Sequence, residues 1–377
     1  MNYDEKIRLV GKKLIANYRI SGKVIAGVNG PYDDRETEVR DLSHLIIITA
    51  IEILKYEGEY WELLSKMAND LLSMRGANKF YVMREKEGKD SCNGVIGNAW
   101  VIEALVYLYK VYKDKIYLKI AFEIYEAHKF QEQLGLWGRP GMGIGDNDID
   151  YTLNHQLWFA ASLYELNDYL KNKTIEDQLH RFMEQLSLNF NVSKNGRITH
   201  GIYRRLGRKL ILKNKLKSIY FKAKEKLGYA SYAYKEDGYQ LFNLVALARI
   251  YRMESQNAFF QMNRFKQALK YASSQELLEN MLNSEVDKDV SLHSKTIKQE
   301  ERSINIYAYP YNVPGFEYMY IKEVWEEETS DSIMTEYLSN QFELTFSPME
   351  GMFGLRCHDK VTINYRIYEF YRGLEIR

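Results

Sequence analysis

The sequence predicts an all-α protein, an (α/α)6 toroid of about twelve helices in six outer–inner hairpins. Two observations lead there. Apolar residues recur with the helical period along most of the chain, and the periodic segments come in pairs. The second member of each pair is also the more apolar: LSHLIIITAIEIL, GNAWVIEALVYLYKVY, NHQLWFAASLYEL and YQLFNLVALARIY, against first members such as TIEDQLHRFMEQLSLNF that keep a polar face. A helix apolar nearly all round is buried, and one with a single apolar stripe lies outside. Alternation of the two kinds closes into a ring of hairpins. No strict sequence repeat supports a solenoid.

The expected pairs are 3–20 with 36–56, 59–74 with 94–112, 114–132 with 151–168, 174–190 with 237–254, 258–283 with 314–326, and 331–344 with 360–373. Residues 1–377 read as one helical domain, interrupted by a basic insertion at about 200–232. Within it, residues 204–226 carry ten Lys or Arg against the single acid Glu225. Such a segment suits a solvated surface, an anionic polysaccharide or an anionic membrane surface.

Hydrophobic residues make up 46% of the chain and charged residues 27%, which argues against general disorder. The net charge of +1 gives no global field for nucleic acid, and no recognised nucleic-acid module accompanies the basic segment. The charged start, MNYDEKIRLV, has no apolar signal region, and no run of about eighteen apolar residues occurs. The expected compartment is the cytoplasm. Thirty-one tyrosines fit half-buried helix positions, or a pocket of flat, hydrogen-bonding rings of the kind that binds sugars.

A polar, aromatic or glycine-containing loop precedes each inner helix: VNGPYDDRETEVRD, EGKDSCNGVIG, GRPGMGIGDNDIDYT, YASYAYKEDGY, YAYPYNVPGFE and GLRCHDKVTINY. In a ring these loops meet at one end, where helix N-termini favour anions. The functional site is expected there.

The most specific string is Asn154-His155-Gln156-Leu157-Trp158, which opens an inner helix after Asp146, Asp148 and Asp150. His155 and Trp158 are three apart and share a face. A histidine beside an amide and a carboxylate-rich loop suits a general base, and it equally suits a structural histidine. This N-H-x-x-W string resembles the Asn-His pair of the alginate lyase family, whose fold is an incomplete helical toroid. The helix beginning Tyr239-Gln-Leu-Phe-Asn resembles the tyrosine-led helix of those lyases and of the heparinase-like toroid lyases. The resemblance implies that Asn154 neutralises a uronate carboxylate, His155 takes the proton at carbon, and Tyr239 or Tyr234 protonates the leaving oxygen. The chain lacks the export signal usual among such lyases. That leaves processing of a capsule-type glycan or an imported oligosaccharide inside the cell.

Other readings use the same scaffold. Asp33-Asp34-Arg35-Glu36 and Asp146–Asp150 offer the two carboxylates of a glycoside hydrolase, or simple helix caps. The overall plan is similar to the N-acylglucosamine 2-epimerase class, for which His155 and His358 are the candidate proton shuttles. Cys92 with Cys357 and His358 is reminiscent of the zinc ligands of lanthionine cyclases, but the glycine pattern of those enzymes is mostly missing, so no metal and no cofactor are expected. A glycan-binding scaffold is the non-enzymatic alternative. The expected substrate-binding residues are Asp34, Asn98, Trp100, Trp158, Arg204, Arg205, Tyr311, Glu317 and His358, around an acidic glycan or sugar.

Overall fold

The computed structural model describes residues 2–204, 232–282 and 304–377. Arg205 and nearly all of the basic insertion lie outside these residues. So does any membrane contact the insertion was expected to make.

The outer helices are α1 (Tyr3–Ser21), α3 (Trp61–Ser73), α5 (Lys115–Glu126) and α7 (Lys173–Asn189). Between α7 and the next outer helix, a short α8 (Tyr232–Gly238) leads into the inner helix α9 (Gln240–Met253). The fifth outer position holds α10 (Asn263–Ala272) and α11 (Gln275–Leu282), and the sixth α13 (Asp331–Thr345). The other inner helices are α2 (Val39–Tyr56), α4 (Ile96–Tyr112), α6 (Leu153–Leu170), α12 (Pro314–Val324) and α15 (Tyr368–Ile376), the last entered through the single turn α14 (Thr362–Tyr365). Each inner helix packs on the next, and α15 returns to α2, so the ring closes.

Three expected helices came out differently. The segment expected as helix to residue 132 stops at Glu126, and the chain turns back as the hairpin β1 (Phe130–Gln131) with β2 (Leu136–Trp137). Gly135, at φ +63°, makes that turn possible. The 258–283 segment breaks at Ser273-Ser274, and its first four residues form a separate 3-10 turn. The last inner helix is interrupted at Arg366-Ile367. A second small hairpin, β3 (Phe346–Ser347) with β4 (Met352–Phe353), follows α13.

Burial separates the two rings as the sequence pattern demands. In α2 every residue from Val39 to Ile53 is buried, whereas α7 buries only one face. The helix ends differ as well. Outer helices α1, α5, α7 and α13 are capped by the side chains of Asn2, Asp114, Asn172 and Ser330. None of the six inner helices has a side-chain cap. Some of their first N–H groups find backbone acceptors instead, as Leu153 of α6 does at the His200 carbonyl, 3.0 Å away.

Buried carboxamides hold the loops against the inner helices. Gln156 of α6 accepts from the Trp137 N–H at 3.0 Å and donates to the carbonyls of Trp137 and Asp150. Gln240 of α9 does the same for Ile198 and Gly196, and Asn364 for both backbone groups of Phe353. In α4, Asn98 accepts from the Tyr81 N–H. A planar amide offers a donor and an acceptor at once, so one side chain satisfies both backbone groups of a buried strand. Deeper in the ring, Arg249 of α9 bridges Glu103 of α4 and Glu165 of α6 at 3.2 and 3.0 Å, and Arg372 of α15 pairs with the same two acids. Four inner helices are thereby tied together.

His44 sits within α2, stacked on Tyr368 at 4.0 Å and edge-on to Trp100 at 5.6 Å. Neither ring nitrogen has a hydrogen-bond partner among the described residues. Burial pushes its imidazole well below the ordinary value, with Arg40 and Arg366 adding to the effect. Below about pH 6.5 the unfolded histidine binds a proton that the folded one refuses, so stability falls as pH drops through that value. His44→Phe is therefore expected to narrow the gap between the Tm at pH 7 and the Tm at pH 5. An unchanged gap in scanning calorimetry would show that His44 does not contribute to acid sensitivity.

Candidate functional site

A cavity of about 220 Å³ opens where the inner helices begin. Five of the six loops expected there contribute to its wall. Asn29 and Tyr32 come from the first, and Lys89, Asp90, Asn93 and Gly94 from the second. Arg139, Asp150 and Thr152 come from the third, Lys235 and Tyr239 from the fourth, and Tyr311 and Asn312 from the fifth. No residue of the sixth loop lines it, though Arg366, just beyond that loop at the break between α14 and α15, does.

His155 lies on this wall, in the first turn of α6. Its Nδ1 is 2.7 Å from Asp150 Oδ2. Asp150 also accepts the N–H groups of Val95 and Thr152, each at 3.0 Å. Burial alone would raise the Asp150 carboxyl, but the His155 ring and the two backbone donors outweigh it and hold the group well below the usual carboxylate range. A carboxylate only accepts, so the proton of a neutral His155 sits on Nδ1 and Nε2 keeps its lone pair. This is the state a general base needs.

The dyad rests directly on the backbone of the second loop. A Cβ on Gly94 would overlap Asp150 Oδ2 and come within 2.5 Å of His155 Nδ1, and Gly94 has φ +66°. Asp90 holds this turn by accepting from the Gly94 N–H at 2.6 Å, while Arg84 grips its carboxylate at 3.0 Å.

Asn154, beside His155, is 2% exposed, lines the cavity, and has no partner for Oδ1 among the described residues. Tyr239 also lines the cavity, and its hydroxyl is 2.9 Å from that of Tyr32. Burial holds the Tyr239 phenol well above its ordinary value, so it stays protonated as a donor. Tyr311 packs beside it at 6.1 Å between ring centroids and donates to Asn29 Oδ1 at 2.8 Å. Trp100 completes this side, with the Arg40 guanidinium 4.5 Å above its ring.

The remaining expected residues stand behind the wall or away from it. Asp34 is fully buried and anchors the cavity cations Arg84 and Lys89 at 3.1 and 2.7 Å. Glu317 is buried against Arg366 at 3.0 Å. Asn98 is spent on Tyr81 and on His128 Nε2. Trp158 stacks on Phe242 at 4.7 Å and donates its N–H to the Phe242 carbonyl, which places it between α6 and α9. Arg204 donates to Gln185 and to the Gln133 carbonyl. His358 Nε2 pairs with Asp33 at 3.0 Å, outside the cavity lining. Tyr234 bonds the backbone of Ile304 and Ile306.

Of the lining residues not named as candidates from the sequence, His200 and Lys235 stand out. His200 is packed 4.8 Å from the Tyr239 ring, and burial pushes its imidazole well below the ordinary value, helped by Lys235 and His155. Lys235 lies among the rings of Tyr32, Tyr239 and Tyr307 at 5.1, 5.6 and 5.9 Å. Neither carries a motif: His200 lies in a loop without period, and Lys235 in α8, within the YASYAYKEDGY segment expected to border the site. The lining holds six cations (Arg40, Arg84, Lys89, Arg139, Lys235, Arg366) and two acids (Asp90, Asp150), and the buried carboxylates Glu36, Asp34 and Glu317 pair with four of the cations from behind the wall. Neither lining acid is placed to deliver a proton, as each already accepts charge-assisted bonds. None of the acids that burial raises, Glu236 to about 7, Asp237 to about 6, and also Glu36, Asp41, Glu317 and Glu369, lines the cavity. Among the described residues, no cluster of three His, Cys, Asp or Glu side chains could hold a metal ion. Cys92 and Cys357 are both buried free thiols.

Comparison with solved structures settles the architecture. Cellobiose 2-epimerase from Spirochaeta thermophila superposes with a TM-score of 0.59, at 11% identity over 94% of this chain and 90% of that one. An unsaturated glucuronyl hydrolase specific for heparin gives 0.56 at 11% identity, covering 99% of this chain and 97% of that one. A polysaccharide lyase gives 0.55 at 11% identity, covering 100% and 99%. The fold is the (α/α)6 toroid of carbohydrate-active enzymes. At such identities the likeness is one of fold. In sequence, the chain is 27% identical to archaeal glycosylation protein Q of Haloferax volcanii, over 93% of this chain and 92% of that protein. No family model matches. Among the described residues, no helix is long and apolar enough to cross a membrane.

Proposed function

We propose that this protein is a carbohydrate-active enzyme that removes a proton from carbon in a uronate-containing or otherwise acidic sugar. The observation that carries this reading is the His155–Asp150 dyad, which shares a cation-lined cavity with the protonated phenol of Tyr239. In an elimination, His155 Nε2 takes the proton from the carbon next to the carboxylate. The electron pair forms a carbon–carbon double bond, the neighbouring C–O bond breaks, and Tyr239 protonates the departing oxygen. Asn154 and the lining cations stabilise the charge that develops on the carboxylate. The similarity to a glycosylation protein and the sugar-processing activities of the structural neighbours are in keeping with a glycan substrate.

A second reading, sugar epimerisation or isomerisation, is favoured by His200, a second neutral imidazole on the same cavity. It would return the proton in place of His358. Incubation with uronate-containing oligosaccharides in D2O tests both. Elimination yields an unsaturated uronate absorbing in the near ultraviolet, and epimerisation yields deuterium at carbon without that absorbance. Neither signal, across a panel of acidic glycans and sugars, would end the proposal.

A further inference from the structure

Lys235 is singular among the charges of the cavity. Every other lining cation has a carboxylate within 4.0 Å: Arg40 has Glu36, Arg84 has Asp34, Lys89 has Asp34, Arg139 has Asp90 and Arg366 has Glu317. Lys235 has no ion pair and no hydrogen bond among the described residues, although it is half-buried. It is held instead by three tyrosine rings, which attract an ammonium through their faces without neutralising it. Leaving a charge unpaired in a closed site is costly unless something arrives to compensate it.

We propose that Lys235 is the docking point for the anionic group of the substrate, a carboxylate or phosphate oxyanion. This rests on the reading of the site as one for acidic sugars and adds the group that recognises the charge. The place suits the task. Tyr239, the proposed proton donor, packs against the same ammonium, and His200 lies close enough to feel its charge. An oxyanion on Lys235 is thus held beside the residues that would move protons. Burial, and then the nearby Lys89, lower the amine to about 8, while Glu236 works the other way. A docked anion is expected to raise it again.

The test uses the full chain and three probes, D-glucuronate, D-glucose 6-phosphate and D-glucose, in titration calorimetry with wild type, Lys235→Met and Lys235→Arg. Wild type is expected to bind one of the anionic probes more tightly than glucose, and which one it prefers identifies the oxyanion. Lys235→Met should weaken that probe roughly 10- to 100-fold and leave glucose unchanged, since a charge-assisted bond is lost. Lys235→Arg should keep most of the difference. The Tm of unliganded Lys235→Met should match or exceed that of wild type, because an uncompensated cation has been removed. Equal affinities in wild type and Lys235→Met, no preference of wild type for either anion, or a Tm lower by many degrees would each overturn the assignment. Loss of anion preference in Lys235→Met with proton abstraction absent in wild type would instead leave the docking point standing and sink the proposed reaction.

Discussion

Replacing His155 with alanine is expected to lower turnover roughly 10²–10⁴-fold, the usual contribution of a positioned general base. The fold should change little. His155 is on the cavity wall with 18% of its side chain exposed, and its removal leaves Asp150 still accepting from Val95 and Thr152. Progress curves on a verified substrate, set beside the Tm of the same preparation, check both halves. If the imidazole were instead structural, the Tm would collapse and residual activity would follow the folded fraction. If His200 shares the proton transfer, the loss will differ between the forward and reverse directions of an epimerisation. Wild-type turnover in the variant would remove His155 from the mechanism.

Gly94→Ala is expected to be nearly as damaging to activity, without removing any group that reacts. The added methyl would overlap Asp150 Oδ2 and crowd His155 Nδ1, so one member of the dyad must move. The left-handed backbone at φ +66° adds roughly 1–2 kcal/mol of strain for any residue with a Cβ. A drop of at least about 100-fold in turnover is anticipated, since misplacing a catalytic group by an ångström has that scale of effect. It should come with a lower Tm, and Asp150→Asn should show the kinetic part without the backbone strain. Full activity in Gly94→Ala would mean that the dyad geometry does not matter to the reaction.

The fold was legible because burial follows sequence period. LSHLIIITAIEIL carries no polar face, and in the structure α2 is buried through fifteen consecutive residues. The same argument located the loop end of the ring, since only the loops before inner helices concentrate glycine, acid and aromatic residues. It also brought Asn154, His155, Tyr239, Trp100 and Tyr311 to one cavity. What periodicity could not supply was direction within the buried ring. Trp158 and Trp100 look alike as apolar residues near inner-helix starts, yet one faces Phe242 on the neighbouring helix and the other faces the cavity. Asn98 and Asn154 both sit in the first turn of an inner helix. The first is taken by the Tyr81 N–H and by His128.

The sequence by itself therefore determined the alternation of outer and inner helices, the six-hairpin ring and the end at which the polar loops gather. The physical reason is local: side-chain hydrophobicity read at 3.6 residues per turn reports burial. Only the tertiary structure decided which charges are already spent and which are free. Asp34 and Glu317 look like binding groups in the sequence, but they serve as counter-ions to Arg84 and Arg366. Lys235 and His200, which have no motif, face the cavity because both belong to the connection between α7 and α9, His200 in its loop and Lys235 in α8. Pairing of charges depends on distances between segments far apart in the chain, and those distances exist only once the ring has closed.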